Sequence, residues 1–271
     1  SSDLLDKLLK TRQTELSLAN RLHELRAESE GFLDESFDTI SAWAEHGAIV
    51  HYEPTLDSDV VIDNDNFLLV DSGGHYLEGT TDITRTFLIG KATPKMIRDY
   101  TLVLKSNINL AKAKFLSGTS CKSLDILARD VLCSEGVDFL YGTGHGVGHI
   151  LNVHEGPNSF RWRVAKGVNA AELVPGMITT DEPGLYIEDG FGIRIENELL
   201  CVAGETTEYG DFRHFESLTV CPIDLDPVIP EMMTEAEKKT LNEYHKFVRE
   251  TLKPYLNDEE NQWLAKETRD I

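Results

Sequence analysis

The stretch FLLVDSGGHYLEGTTDITRTFLIG, residues 67–90, decides the fold of this chain. It opens with the apolar run FLLVD and closes with DITRTFLIG, in which apolar residues alternate with threonine and arginine as in a strand. Three glycines lie between the two runs, so we predict an antiparallel hairpin. Asp71 and Asp82 stand where the strands meet the connecting loop, and if they pair across the strands, their β-carbons are about 5 Å apart.

A second stretch, GMITTDEPGLYIEDGFGIRIENELLCVAG at 176–204, repeats this arrangement. Its runs MITTDE and GIRIENELLCV have strand-like composition and flank Pro-Gly and Asp-Gly turn signals, which predicts a second hairpin. This hairpin presents Glu182 and Glu196 as the first presents its two aspartates. Two half-buried carboxylates so close together raise one another's pKa strongly unless a cation neutralises them.

The segment YGTGHGVGHILNVHEGP, residues 141–157, lies between the two hairpins and holds three of the nine histidines. A single acidic residue is most often a turn or surface residue, but four in this arrangement beside a histidine favour a cage for two divalent cations. Carboxylates with one imidazole suit Mn²⁺, Co²⁺, Fe²⁺ or Zn²⁺. Two such ions activate water and polarise a carbonyl, which indicates hydrolytic chemistry.

Helical periodicity predicts the remaining elements. The predicted helices are 14–27, 94–118, 123–136 and 234–252. The last begins with a capping box, in which Thr234 is followed by Glu237. Strands with helices gathered around them indicate an α+β fold, and the two hairpins suggest pseudo-duplication within a single domain, 1–271.

Composition narrows the class of partner. The formal net charge is −21, which disfavours nucleic acid and anionic membrane surfaces as partners. The four cysteines form no closely spaced pair, as is typical of a reducing compartment. The chain has no apolar run long enough for a membrane span, and its start, SSDLLDKLLKTRQ, lacks the apolar core of a signal peptide. We therefore expect a cytoplasmic protein.

These motifs together resemble a known family. The strings are HGAIVHYEP (46–54), VDSGGHYLEGTTDITRTF (70–87), GTGHGVGHILNVHEGP (142–157), DEPGLY (181–186) and GIRIENELL (192–200). They are similar to the catalytic domain of aminopeptidase P, also called Xaa-Pro aminopeptidase, from about Thr14 to the C-terminus. The resemblance implies the pita-bread fold, a pseudo-duplicated, curved mixed β-sheet with helices on its outer face. It also implies hydrolysis of the bond between an N-terminal residue and a following proline.

The resemblance implies five metal ligands, hereafter the five candidate ligands: Asp71, Asp82, His145, Glu182 and Glu196. In such a site Asp82 and Glu196 bridge both ions. Asp71 completes the coordination of one ion, and His145 and Glu182 complete that of the other. Mn²⁺ is the ion that we expect, with Zn²⁺, Co²⁺ and Fe²⁺ as alternatives.

The same resemblance implies the catalytic and substrate-binding roles. Glu182 exchanges a proton with the attacking water, and both Glu182 and His145 lie beside the substrate. His51 and His154 contact the substrate around the scissile carbonyl and the proline nitrogen. The expected substrate is a peptide with proline in second position, and such proteins usually associate, which suggests a homodimer.

Four further residues have more ordinary interpretations. Arg194, two residues before Glu196, is expected to support a ligating carboxylate. Tyr141 departs from the pattern, since many relatives have a histidine before GTGH, and a tyrosine cannot become a cation near pH 7. His149 is expected to be a packing or surface residue, and His75 a solvent residue.

One expectation concerns the extent of the domain, and two alternative functions stay open at this point. Relatives of this type carry non-catalytic domains before the catalytic one, and their catalytic domain begins with a helix and strand ahead of Thr14. We therefore expect a domain truncated at its N-terminus, without those upstream domains and with reduced stability and peptide binding. A prolidase, which cleaves only Xaa-Pro dipeptides, is the nearest alternative activity. A non-catalytic peptide-binding module is the alternative from another class.

Overall fold

The computed structural model describes residues 12–63, 65–163 and 170–271, so most of the start examined for a signal peptide lies outside the described residues. The helices are α1 (Glu15–Ala27), α2 (Pro94–Ala111), α3 (Cys121–Cys133), α4 (Glu235–Leu252) and α5 (Asp258–Glu267). The strands of the N-terminal half are β1 (Phe32–Glu35), β2 (Ile40–Trp43), β3 (Asn66–Ser72), β4 (Gly74–Tyr76), β5 (Ile83–Ile89) and β6 (Lys114–Leu116). The later strands are β7 (Gly144–Val147), β8 (His154–Phe160), β9 (Ile178–Asp181), β10 (Gly184–Ile187), β11 (Phe191–Arg194), β12 (Asn197–Thr207) and β13 (Gly210–Ser217).

The first predicted hairpin is confirmed as the antiparallel pair β3 and β5, with β2 on the other side of β3. Asp71 and Asp82 do not pair directly. Thr84 lies opposite Asp71, and Asp82 lies two positions away, just before β5 begins. Diagonal neighbours on a sheet are about 7–8 Å apart, so these two carboxylates share a face with room for an ion between them.

The second predicted hairpin is present, but each of its two sides consists of two strands with a short interruption between them. β9 pairs with β12 and β10 pairs with β11, both antiparallel and in one continuous register. Asn197 lies opposite Asp181 and Gly184 lies opposite Arg194, so Glu182 and Glu196 face each other at the break. The two glutamates therefore lie where the ladder bends.

Hydroxyl groups join the two hairpins to each other. Thr86 Oγ1 donates to the carbonyl of Arg194 at 3.0 Å and accepts from the amide of Arg194 at 3.1 Å. The amide of Glu196 donates to the carbonyl of Thr84 at 3.1 Å. These bonds place β5 beside β11 and β12, and so bring the carboxylates of both hairpins to one place.

The helices bury apolar faces against the strands. In α2, Tyr100, Leu104 and Ile108 pack in one cluster with Phe67 of β3 and Ile193 of β11. The prediction that this helix continues to Gly118 is wrong, since it ends at Ala111. Residues 114–116 form β6 instead, because they pair with β13, and that ladder overrides the helical periodicity.

The α+β class is confirmed. A six-stranded sheet has the order β6-β13-β12-β9-β7-β8, and a three-stranded sheet has the order β2-β3-β5. Every strand pair described is antiparallel, which corrects the expectation of a mixed sheet within residues 12–63, 65–163 and 170–271. Among the described helices, none combines the length and apolarity needed to cross a membrane.

Candidate metal centre

Three of the five candidate ligands form a tight cluster where the hairpins meet β7. Ligand atoms of Asp82, His145 and Glu196 all lie within 4.8 Å of one another, and all three residues are buried. His145 Nε2 lies 3.3 Å from Asp82 Oδ2 and 3.3 Å from Glu182 Oε1. Side chains from four separate places in the sequence therefore point at one small volume.

Two threonines, which the sequence interpretation missed, hold the glutamates in place. Thr84 Oγ1 donates to Glu196 Oε2 at 2.7 Å. Thr180 Oγ1 donates to Glu182 Oε1 at 3.0 Å and accepts from the amide of His145 at 3.0 Å. Strand alternation is the signal that could have found them, because Thr84 and Thr180 each lie two positions from a candidate ligand and share its face.

Asp71 lies against the buried guanidinium of Arg194. Arg194 Nη2 donates to Asp71 Oδ2 at 2.7 Å, and Arg194 Nε donates to Thr84 Oγ1 at 3.0 Å. The other carboxylate oxygen of Asp71 is buried and has no hydrogen-bond partner among the described residues. A buried carboxylate oxygen left in this way fits a cation.

Burial raises the pKa of several carboxyls in the cluster. The pKa of Asp71 is raised to about 6, although the charge of Arg194 opposes the shift. Burial raises the pKa of Glu182 to about 7 and that of Glu196 well above its ordinary value, with the neighbouring carboxylates adding to both shifts. Burial lowers the pKa of His145, but the hydrogen bond to Asp82 and the charges of Glu182 and Asp82 outweigh it and raise the pKa to about 9.

Burial is the largest cause of the raised pKa values of Asp71, Glu182 and Glu196, and the charges of neighbouring carboxylates add to each. Divalent cations, when bound, would offset that repulsion, and the carboxylate oxygen of Asp71 that lacks a hydrogen-bond partner would be available to them. The donor set of four carboxylates and one imidazole therefore fits two hard or borderline divalent ions.

The cluster opens into a cavity of about 240 Å³. All five candidate ligands line it, as do His51, His154 and Arg194. The ring of His154 lies edge-on to that of His145, with 4.1 Å between the centroids. Burial, followed by the charge of His145, lowers the pKa of His154 and keeps its imidazole neutral near pH 7. The apolar side chains of Phe37, Ile40 and Val50 complete part of the wall.

The remaining residues singled out in the sequence lie in different surroundings. Tyr141 does not line the cavity but packs edge-on against Tyr186, with 5.3 Å between the rings. Tyr186 OH in turn accepts from Arg194 Nη1 at 2.5 Å, so Tyr141 supports the arginine rather than the substrate space. His149 is exposed. The expectation for His75 is wrong, since it is buried and hydrogen-bonded to Thr80 at 2.8 Å.

Comparison with known proteins shows the family to which this chain belongs. Residues 2–203 match the model of metallopeptidase family M24, and residues 211–271 match the C-terminal region of peptidase M24. The chain belongs to metallopeptidase family M24. The structural neighbours of this M24 chain have the pita-bread fold, which confirms that expectation.

Several relatives of this M24 chain are named as Xaa-Pro or X-prolyl aminopeptidases. It is 41% identical over 267 residues to a probable Xaa-Pro aminopeptidase P from Aspergillus flavus, covering 97% of this chain and 40% of the relative. The crystal structure of X-prolyl aminopeptidase from Caenorhabditis elegans, described as a cytosolic enzyme with a di-nuclear active site, matches with a TM-score of 0.92 and 40% identity. That match covers 99% of this chain and 44% of the other.

A prolidase from Pyrococcus furiosus is a more distant match. Its TM-score is 0.62 at 29% identity, and the match covers 77% of this chain and 58% of the prolidase. The M24 chain therefore spans less than half the length of the two aminopeptidases that it resembles.

Replacing Arg194 by Met is expected to weaken the binding of divalent ions by about ten- to a hundredfold. The substitution removes the donor that orients Asp71 and leaves that carboxylate free to rotate. Titration of Mn²⁺ into the metal-free protein, followed by calorimetry, measures the change. Arg213→Met is the matched control, because Arg213 pairs with Glu172 away from the cluster, and its metal affinity should equal that of the unchanged protein.

Proposed function

We propose that this chain is the catalytic domain of a dinuclear-metal aminopeptidase that removes an N-terminal residue from peptides with proline second. One observation carries the proposal: the five candidate ligands, His51 and His154 line a single cavity in an M24 chain. A relative named Xaa-Pro aminopeptidase P and the structure of an X-prolyl aminopeptidase, both at about two-fifths identity, support this substrate class.

The cofactor of the proposed enzyme is a pair of divalent ions, with Mn²⁺ as the native metal. Asp71, Asp82, His145, Glu182 and Glu196 hold the pair. When bound, the ions polarise the scissile carbonyl and activate the attacking water. The di-nuclear site of the Caenorhabditis elegans neighbour supports two ions here.

The side chains of the chain supply the proton chemistry and the orientation of the substrate. Glu182 has a pKa raised to about 7 by burial, which suits a group that accepts a proton from water and passes it to the leaving proline nitrogen. His51 and His154 project into the cavity and donate or accept hydrogen bonds around the scissile carbonyl and that nitrogen. Arg194 holds Asp71, and Tyr141 supports Arg194 through Tyr186.

A prolidase is the second candidate, because the structure of a prolidase also matches this chain. The lower TM-score and identity of that match favour the aminopeptidase. A non-catalytic peptide-binding module is disfavoured, because all five candidate ligands are present and converge on one cavity. The two remaining enzymes differ in the length of peptide that they accept.

We further propose a single catalytic domain that spans 1–271 and works in the cytoplasm, as the neighbour from Caenorhabditis elegans is described as cytosolic. Its partner is a peptide with proline in second position, and a homodimer is its proposed assembly. The upstream domains of longer relatives are proposed to raise peptide binding. Equal turnover by this chain and by a longer relative would contradict that last point.

A tripeptide assay tests the proposal. We expect the Mn²⁺-loaded chain to release the first residue from an Xaa-Pro-Xaa tripeptide, to lose this activity with a chelator and to regain it when metal is restored. A prolidase would cleave only the Xaa-Pro dipeptide and leave the tripeptide intact. Metal-dependent peptide binding without release of any amino acid would indicate the binding module instead.

A further inference from the structure

A buried carboxylate outside the metal cluster holds the segment that carries His51. Glu15, the first residue of α1, is 0% exposed. Its Oε1 accepts from the amide of Trp43 at 2.6 Å, and its Oε2 accepts from the hydroxyl of Tyr52 at 2.7 Å. His46 Nδ1 lies 3.0 and 3.1 Å from the two oxygens, and since a carboxylate can only accept, this nitrogen carries the proton.

The three donors to Glu15 bracket one short segment. Trp43 ends β2, His46 lies in the 3₁₀ turn Ala44–Ala48, and Tyr52 follows His51 directly. The rings of His46 and Tyr52 stack with 4.5 Å between centroids. Burial raises the pKa of Tyr52 to about 12, so its hydroxyl stays protonated and keeps donating. Glu15 therefore ties both ends of residues 43–52 to the start of α1.

The residues that follow this segment are also hydrogen-bonded to the start of α1. The amide of Glu15 donates to the carbonyl of Val60 at 3.2 Å, and the amide of Leu16 donates to Asp59 Oδ1 at 3.0 Å. His51 itself is exposed and directly precedes Tyr52, so it lies between the two ends of the segment that Glu15 holds. The backbone of this loop therefore helps to set the position of His51 in the cavity.

We propose that Glu15 is a positioning residue for His51, acting through Tyr52 and His46. Glu15 does not line the cavity and touches none of the five candidate ligands, so its effect on turnover passes through the loop. A displacement of about 1 Å in a substrate-contacting group is enough to cost one or two powers of ten in rate. The expected effect of Glu15 on turnover rests on the proposed function. Its expected effect on the loop rests only on the contacts described above.

The kinetic test uses the Mn²⁺-loaded 271-residue chain with an Xaa-Pro-Xaa tripeptide. Glu15→Gln keeps the size of the side chain but loses one acceptor oxygen, and it should lower kcat about tenfold with KM and metal content nearly unchanged. Glu15→Ala should lower kcat further, and Tyr52→Phe, which keeps the ring stack, should lower it less. In a His51→Ala background, Glu15→Gln should cause no further loss, because the two residues act in series.

A structural readout keeps the inference testable without activity. Amide hydrogen exchange in residues 44–54 should become faster in Glu15→Gln, while exchange in residues 141–157 stays unchanged. Asp99→Asn is the matched control, since Asp99 is a buried carboxylate paired with Lys95 and Arg98 outside the cavity. It should change neither the exchange of residues 44–54 nor kcat.

Two outcomes would overturn the inference. One is unchanged exchange in residues 44–54 of Glu15→Gln, and the other is an equal loss of kcat with and without His51. If the unchanged protein releases no amino acid from the tripeptide, the proposed function fails, and the exchange comparison still decides whether Glu15 holds the loop.

Discussion

Replacing Glu182 by Gln is expected to lower the turnover of an Xaa-Pro-Xaa tripeptide by about a thousandfold or more. The variant cannot accept a proton at this position, and it also loses one charge from the ligand set. In the structure, Glu182 Oε1 lies 3.3 Å from His145 Nε2 and accepts from Thr180 Oγ1, so an amide of the same shape fits without disturbing its neighbours. Steady-state kinetics at saturating Mn²⁺ measure the loss, and Glu182→Ala should abolish activity.

The neighbouring residue provides a matched control for this prediction. Asp181 is also a buried carboxylate, but it does not line the cavity, and burial raises its pKa well above the ordinary value. Asp181→Asn keeps the size of the side chain and changes no residue that lines the cavity, so it should keep most of the turnover. Full activity in Glu182→Gln, or an equal loss in the two variants, would contradict the assigned role.

The carboxylates of the cluster could be predicted from the sequence because they lie in two hairpins. Hairpin partners are close in the chain, so strand alternation and turn residues predict which carboxylates converge. For Glu182 and Glu196 even the pairing can be anticipated, and the structure places them at facing positions. For Asp71 the partner is Thr84 instead of Asp82, because a ten-residue connection leaves the register undetermined.

Contacts between distant segments could not be obtained from periodicity. Arg194 lies against Asp71 across 123 positions of sequence, and the expectation from strand alternation identified only its face, not its partner. Glu15 reads as an ordinary acidic residue in the first turn of a helix, where the helix dipole favours it. Its burial against Trp43, His46 and Tyr52 depends on how α1 docks on β2, which is a tertiary property.

The error at α2 has a related cause. Phe115 continues the apolar period of the helix, so the sequence alone extends that helix toward Gly118. In the folded chain, the same phenylalanine pairs with Arg213 in the β6–β13 ladder and packs on Phe215, with 5.2 Å between the rings. The pairing with β13, nearly a hundred residues away, outweighs the helical period of one additional turn, and the sequence pattern alone does not reveal that partner.

Removing the metal is expected to make the stability of the protein fall as the pH rises from about 5 to 9. Carboxyls with raised pKa values, to about 6 for Asp71 and about 7 for Glu182, bind their proton more tightly in the folded than in the unfolded chain. The stability that this protonation contributes is lost as pH rises through those values. His145 acts in the same direction, since its pKa is raised to about 9 and its contribution is lost as pH rises through 9.

Bound divalent ions should reverse this dependence, because they favour the ionised carboxylates and the neutral imidazole and compete with protons for them. At a hundredfold excess of Mn²⁺ over its dissociation constant, linkage contributes about 2.7 kcal/mol, or roughly 5–10 °C in Tm for a chain of this size. Thermal melts with chelator and with Mn²⁺ between pH 5 and 8 measure the difference, which should widen as the pH rises. In Glu196→Gln the difference should shrink at every pH, since one of the five candidate ligands loses its charge. A metal-induced shift that stays constant across this range would show that the five candidate ligands are not the groups that exchange protons for metal.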